Sequence, residues 1–145
     1  MRSFKSLAER QTPFMLRPRR DERHWQRLLQ AADHEVGLVL KALPAELAQR
    51  ARDAMVSFEP APGRALVNDG LDPDTLGLFV GLGFAEAESG AHDLPAQIIL
   101  FLNNLWTYAR GDTADFREEV RRTYLHELGH YLGLDEDDLW ARDLD

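Results

Sequence analysis

The five residues His-Glu-Leu-Gly-His at positions 126–130 constrain the fold of this chain more than any other feature. The segment that leads into them carries an apolar residue at every fourth position, which is typical of a helix with one buried face. Residues four apart on a helix lie about 40° apart around its axis and one turn along it. His126 and His130 therefore share one face of a predicted helix whose apolar stripe is Phe116, Val120, Tyr124 and Leu128.

Both ends of this predicted helix are marked. Asp112 or Thr113 can serve as its N-cap, because a short polar side chain accepts a hydrogen bond from a free backbone N–H of the first turn. Acidic residues in the first turns suit the positive end of the helix dipole. Gly133 can end the helix in a left-handed conformation. The sequence thus predicts one continuous helix that carries the whole 126–130 string.

The string has the chemistry of a metal site. Two imidazoles on one helix face can bind the same ion, and Glu127 lies about 60° around the axis from His130. Its carboxylate can approach a water at the metal without being a ligand. A zinc ion acidifies such a water, and a neighbouring carboxylate can accept the proton. The chain has no cysteine, so every protein ligand must be His, Asp or Glu.

Two histidines leave a catalytic zinc one protein ligand short of its usual three. Extending the spacing past Gly133 places Glu136 in the third-ligand position, with Asp135 and Asp137 as alternatives one residue to either side. A left-handed Gly133 would turn the chain back towards the metal. The acidic run can also be interpreted as the start of a last helix, with Asp135 as its N-cap.

The rest of the chain predicts a single domain at 21–145 behind a flexible, Arg-rich arm at 1–20. The basic stretch at the junction, from Arg17 to Arg27, is interpreted as a solvated helix start rather than a binding patch. Asn103 and Asn104 are predicted to form a turn. Glycines at 77, 81 and 83 indicate bends or a close backbone approach. The periodicities predict helices at 21–43, 45–54 and 105–110 and strands at 55–58, 76–84 and 97–102.

Residues 126–134 and the acidic run 135–138 resemble the small bacterial "minimal zincin" metallopeptidase family. Segments 95–101 and 117–121 resemble the same family, so that the likeness is strong from about residue 94 to 139 and weaker from about 21 to 84. It implies a compact α+β domain in which a small, mostly antiparallel sheet packs against N-terminal helices and the metal-binding helix. It also implies a zinc held by His126, His130 and an acidic residue. Members typically carry aspartate where this chain has Glu136.

These observations favour a zinc-dependent metallopeptidase that acts on a peptide or protein substrate, with Glu127 as the general base. An extended peptide would pair with an edge strand, either the one near 76–84 or the one near 97–102. The first alternative is a non-catalytic, zinc-stabilised interaction module of the same fold. The second is a regulator whose Arg-rich arm binds an acidic partner.

The net charge and the hydropathy of the chain limit the classes of partner that we expect. The net charge of −8 would repel a phosphate backbone, so we do not expect nucleic-acid binding. No apolar run is long enough to span a bilayer, and no apolar segment follows the charged N-terminus. We therefore expect a cytoplasmic protein with no membrane partner.

Overall fold

The computed structural model describes residues 20–81, 83 and 95–134. Residues 1–19, which make up nearly all of the predicted arm, lie outside this part. The α+β class is confirmed. In chain order the described elements are α1 (Arg20–Ala42), α2 (Ala45–Ala51), β1 (Met55–Glu59), α3 (Arg64–Asn68), β2 (Gly77–Val80), β3 (Gln97–Phe101), α4 (Leu102–Tyr108) and α5 (Thr113–Leu132).

The three described strands form one sheet in the order β1-β3-β2, with β3 in the centre. β3 pairs parallel with β1, where Met55 lies opposite Gln97, and antiparallel with β2, where Gly77 lies opposite Leu100. The sheet is therefore mixed, where a mostly antiparallel one was expected. The reason is the long connection at 60–96: a parallel pair needs a crossover of about a dozen residues or more, and this segment provides it.

α5 packs against both layers of the domain. It contacts β2 and β3 of the sheet as well as α1 and α4. The apolar stripe that the sequence predicts is fully buried, and it meets the inward side chains of β3. The largest side chains of this common core are Tyr124, Phe116, Ile98 and Leu100.

One buried carboxylate joins α1 to α5. Glu35 is only 2% exposed, and it accepts a hydrogen bond from the guanidinium of Arg121. A guanidinium nitrogen of Arg117 lies 3.7 Å from the other carboxylate oxygen. Removing a carboxylate from water is costly unless cations and donors replace the lost solvation. The two arginines do so here, and they fix the relative position of the two longest helices.

Two predicted boundaries are wrong. α4 begins at Leu102, directly after β3, so Asn103 and Asn104 lie in a helix and not in a turn. Asn104 donates its side-chain amide to the carbonyl oxygens of Pro73 and Thr75, at 2.8 and 2.9 Å. The side chain therefore does not compete for the backbone of its own helix, which is the usual reason that Asn favours turns.

The described part of β2 is shorter than the strand predicted at 76–84. It ends at Val80, because the next residue, Gly81, has a φ of +109° that turns the chain out of the extended conformation. Among the described helices, none combines the length and the apolar character required to cross a bilayer.

Candidate metal centre

The helix that carries the string is continuous and capped at both ends, as the sequence predicts. Asp112 is the N-cap, and its carboxylate accepts a hydrogen bond from the backbone N–H of Asp115 at 2.8 Å. At the other end Gly133 is left-handed, with φ 72° and ψ 23°. The backbone N–H of Leu134 donates to the carbonyl of Gly129 at 2.8 Å, which completes a Schellman cap. The last turn of α5 is therefore well fixed where it holds the histidines.

His126 and His130 meet on the solvent-facing side of α5. Their Nε2 atoms lie 3.3 Å apart, and the two ring planes are perpendicular, with centroids 4.8 Å apart. Two nitrogens bound to one tetrahedral zinc, each at 2.0–2.1 Å, lie about 3.3–3.4 Å from each other. The spacing of the two imidazoles thus fits a shared zinc ion. Both side chains are exposed, so an ion can reach them from solvent.

Glu127 completes the cluster. One carboxylate oxygen lies within 4.8 Å of a ring nitrogen of each histidine, and the residue is only 9% exposed. Among the described residues no Lys or Arg forms an ion pair with this carboxylate. Buried carboxylates are normally paired with a cation or a metal. The environment of Glu127 is therefore suited to a positive charge at the histidine pair.

Strand β2 comes close to this part of α5 because it begins with a glycine. A Cβ atom at Gly77 would lie 2.6 Å from Cγ2 of Thr123 and 3.3 Å from Cγ of Glu127. The strand backbone therefore lies directly on the helix beside the cluster. The close approach expected from the glycines of this segment is confirmed at Gly77. Further along β2, Phe79 contacts the ring of Tyr131, with centroids 5.9 Å apart.

Asn104 contributes to the site indirectly. Its two hydrogen bonds to the carbonyls of Pro73 and Thr75 fix the loop that enters β2, and hence the position of Gly77 beside Glu127. Sequence reasoning missed this role. The amide and its acceptors are 29 and 31 positions apart, so no local pattern links them.

The residues proposed for the third ligand, Glu136 with Asp135 and Asp137 as alternatives, lie outside the described part of the chain. The third ligand stays a prediction. The left-handed Gly133 on which that prediction depends is present.

This is a small α+β domain, and its long helix presents a His-Glu-x-x-His cluster beneath a short strand. These features define the class of zincin-type domains. The family model described as "Zincin-like metallopeptidase" matches residues 51–145, which include the whole cluster. The chain therefore belongs to the zincin-like metallopeptidase family, and the resemblance that the sequence indicates is confirmed. No curated protein sequence matches the chain.

Proposed function

We propose that this chain is a zinc-dependent peptidase that uses Glu127 as its general base. One observation carries the proposal. A carboxylate that is 9% exposed, and that has no cationic partner among the described residues, lies within 4.8 Å of two histidine nitrogens spaced for one zinc ion. Family membership supports the same reaction class.

The donor set supports zinc as the metal. With no cysteine in the chain, the ligands are the imidazoles of His126 and His130, and we propose Glu136, or one of its acidic neighbours, as the third. When bound, zinc would act as a Lewis acid that polarises a carbonyl and lowers the pKa of water towards about 7. Such a set leaves a coordination position open, as catalytic zinc sites require.

Glu127 would then move the proton. Its carboxylate accepts a proton from the attacking water as the water oxygen bonds to the carbonyl carbon. It returns the proton to the nitrogen as the C–N bond breaks, so that an acid and an amine leave the site. Gly77 lies beside this side chain, since a Cβ atom at Gly77 would be 3.3 Å from Cγ of Glu127.

β2 is the strand that we propose for substrate binding. β3 already pairs on both of its edges, with β1 and with β2, and so has no free edge for a peptide. β2 pairs on one edge only among the described strands, and it contacts the helix that carries Glu127. An extended peptide added to this edge by backbone hydrogen bonds would lie beside the histidine pair.

The decisive experiment compares the wild-type chain with Glu127→Gln, both loaded with zinc, on a broad peptide library read by mass spectrometry. Glu118→Gln is the matched control, because it makes the same change at an exposed position of the same helix. We expect Glu127→Gln to lower hydrolysis by about 10²–10⁴-fold, the range for loss of a general base. Zinc content should stay near one ion per chain in all three proteins.

The same experiment separates the two readings of the site. If the zinc-loaded wild-type chain cleaves no peptide in the library, the proposed activity is contradicted. A zinc-dependent rise in melting temperature without cleavage is the result expected of the zinc-stabilised interaction module.

A further inference from the structure

A second site lies at the other end of α5. There α1, α4 and α5 line an open-sided cavity of about 340 Å³, which is at the lower end of the range for small-molecule sites. Its polar wall includes His24 and Arg27 from α1 and Arg117 from α5, and its apolar wall includes Trp106 and Phe116. We propose that this cavity binds a small organic anion: one carboxylate or phosphate group attached to a flat apolar body.

The charge of the lining points to an anion. The chain as a whole carries a net charge of −8, yet none of the described lining residues is acidic. Over residues 20–81 and 95–134, no carboxylate forms an ion pair with Arg27. The second guanidinium, Arg117, lies 3.7 Å from Glu35, but Glu35 also accepts a hydrogen bond from Arg121. Two guanidiniums thus share one carboxylate, which leaves one positive charge in excess.

The geometry of guanidinium groups suits a carboxylate or a phosphate in particular. Their planar fork of N–H donors matches two oxygens of either group, and such charge-assisted pairs are stronger than neutral hydrogen bonds. Arg27, at the end of the basic stretch, is exposed to solvent and also lines this cavity.

The apolar wall selects what the anion is attached to. The indole of Trp106 contacts the rings of both His24 and Phe116, with centroids 5.1 and 5.7 Å away, and is held at a steep angle to each. Leu28 and Ala31 complete this side. A flat apolar group can stack or pack on such a surface and is removed from water there. The attached anionic group also loses water, and the N–H donors of the arginines replace it. Inorganic phosphate would use only the polar half of the cavity.

The cavity is separate from the metal centre. Arg117 precedes His126 by nine residues, which is about 14 Å along the axis of α5 and about 180° around it. A small ligand held by Arg117 therefore does not reach the histidine pair. Binding to this cavity should be the same with and without zinc, and the inference holds whether or not the chain hydrolyses peptides.

The test titrates the full-length chain with phenyl phosphate, benzoate, benzyl alcohol and inorganic phosphate, followed by calorimetry and by amide chemical shifts. We expect saturable binding of phenyl phosphate, benzoate or both, and the stronger of the two identifies the anionic group. Benzyl alcohol has the flat ring without the charge, and it should bind at least about tenfold more weakly, since a charge-assisted hydrogen bond contributes about 1.5–3 kcal/mol.

Variants locate the site. Arg27→Gln combined with Arg117→Gln should weaken the preferred anion by about tenfold or more, while Arg64→Gln, on α3 and outside the cavity, should leave binding unchanged. If the double variant does not fold, Arg27→Gln alone still tests the proposal, because Arg27 takes part in no described ion pair that folding would lose. Equal affinity for benzyl alcohol and the anions, or unchanged affinity in a folded Arg27→Gln variant, would overturn the proposal.

Discussion

Of the elements that α5 contacts, α1 and β2 hold it by different means. On the α1 side the contact is electrostatic, since the carboxylate of Glu35 is 2% exposed and binds the guanidinium of Arg121. On the β2 side the contact is steric, because Gly77 leaves no side chain between the strand and Thr123. The Glu35–Arg121 ion pair is satisfied within the protein, whereas the β2 side holds a histidine pair and a carboxylate at distances that suit one metal ion.

This difference separates folding from chemistry along one helix. A buried ion pair in which both partners are satisfied contributes to the position of the helix and has no capacity left for a ligand. An exposed pair of imidazoles contributes little to folding until an ion binds. Changes on the α1 side should therefore alter stability and leave zinc binding intact, and changes at the histidines should do the reverse.

The largest expected effect is on zinc content. His126→Ala should lower bound zinc from about one ion per chain to near zero, measured by elemental analysis after dialysis. The increase in unfolding free energy on adding zinc, about 2.7 kcal/mol at a hundredfold excess over Kd, should be lost too. His34→Ala is the control, an exposed histidine on α1 that should keep both. Zinc content near one in His126→Ala would contradict the proposed ligand pair.

The second prediction concerns the α1 side. Arg121→Gln should lower the unfolding free energy by about 2 kcal/mol, because it leaves the buried Glu35 carboxylate with only the more distant Arg117. Arg122→Gln removes the neighbouring surface pairs with Glu118 and Glu119 and should cost at most about 0.5 kcal/mol. Chemical denaturation measures both.

Zinc affinity should be the same in these two arginine variants and the wild-type chain. Equal destabilisation by the two substitutions, or a large loss of zinc in Arg121→Gln, would contradict the proposed division of roles, in which the α1 side of α5 determines stability and the histidines determine zinc binding.

The third prediction concerns the β2 side and has the smallest expected effect on stability. Gly77→Ala should cost about 1 kcal/mol or more, because the new methyl would overlap Thr123 and push the strand away from Glu127. Gly37→Ala, in the middle of α1 with no atom near the new methyl, should instead stabilise the chain by about 0.5–1 kcal/mol. Gly77→Ala should also slow peptide cleavage while zinc content is retained. Equal effects of the two substitutions would show that β2 is not held by the close approach.

Much of α5 could be predicted from the sequence because its signals are local. The four-residue apolar period, the N-cap at Asp112 and the left-handed Gly133 each lie within one turn of what they determine, and the spacing of His126 and His130 follows from the helix itself. The close approach at Gly77 also has a local signal, since a glycine in a strand indicates a bend or a close neighbour.

The features that were missed depend on distant partners. Glu35 and Arg121 are 86 positions apart, and nothing near Glu35 marks it as a buried residue. Asn104 was assigned to a turn because its acceptors, the carbonyls of Pro73 and Thr75, lie far away in the chain. The parallel pairing of β1 with β3 has the same origin, since residues 60–96 separate the two strands and the pattern of neither strand shows in which direction its partner runs.

Anomalous scattering at the zinc edge, from crystals of the zinc-loaded chain, tests the central claim most directly. The proposed metal centre predicts one strong peak about 2.0–2.1 Å from the Nε2 atoms of both His126 and His130, and the map would identify the third ligand among Asp135, Glu136 and Asp137. A zinc-loaded crystal with no peak between the two imidazoles, or with its zinc bound elsewhere, would contradict the metal centre and the peptidase mechanism built on it.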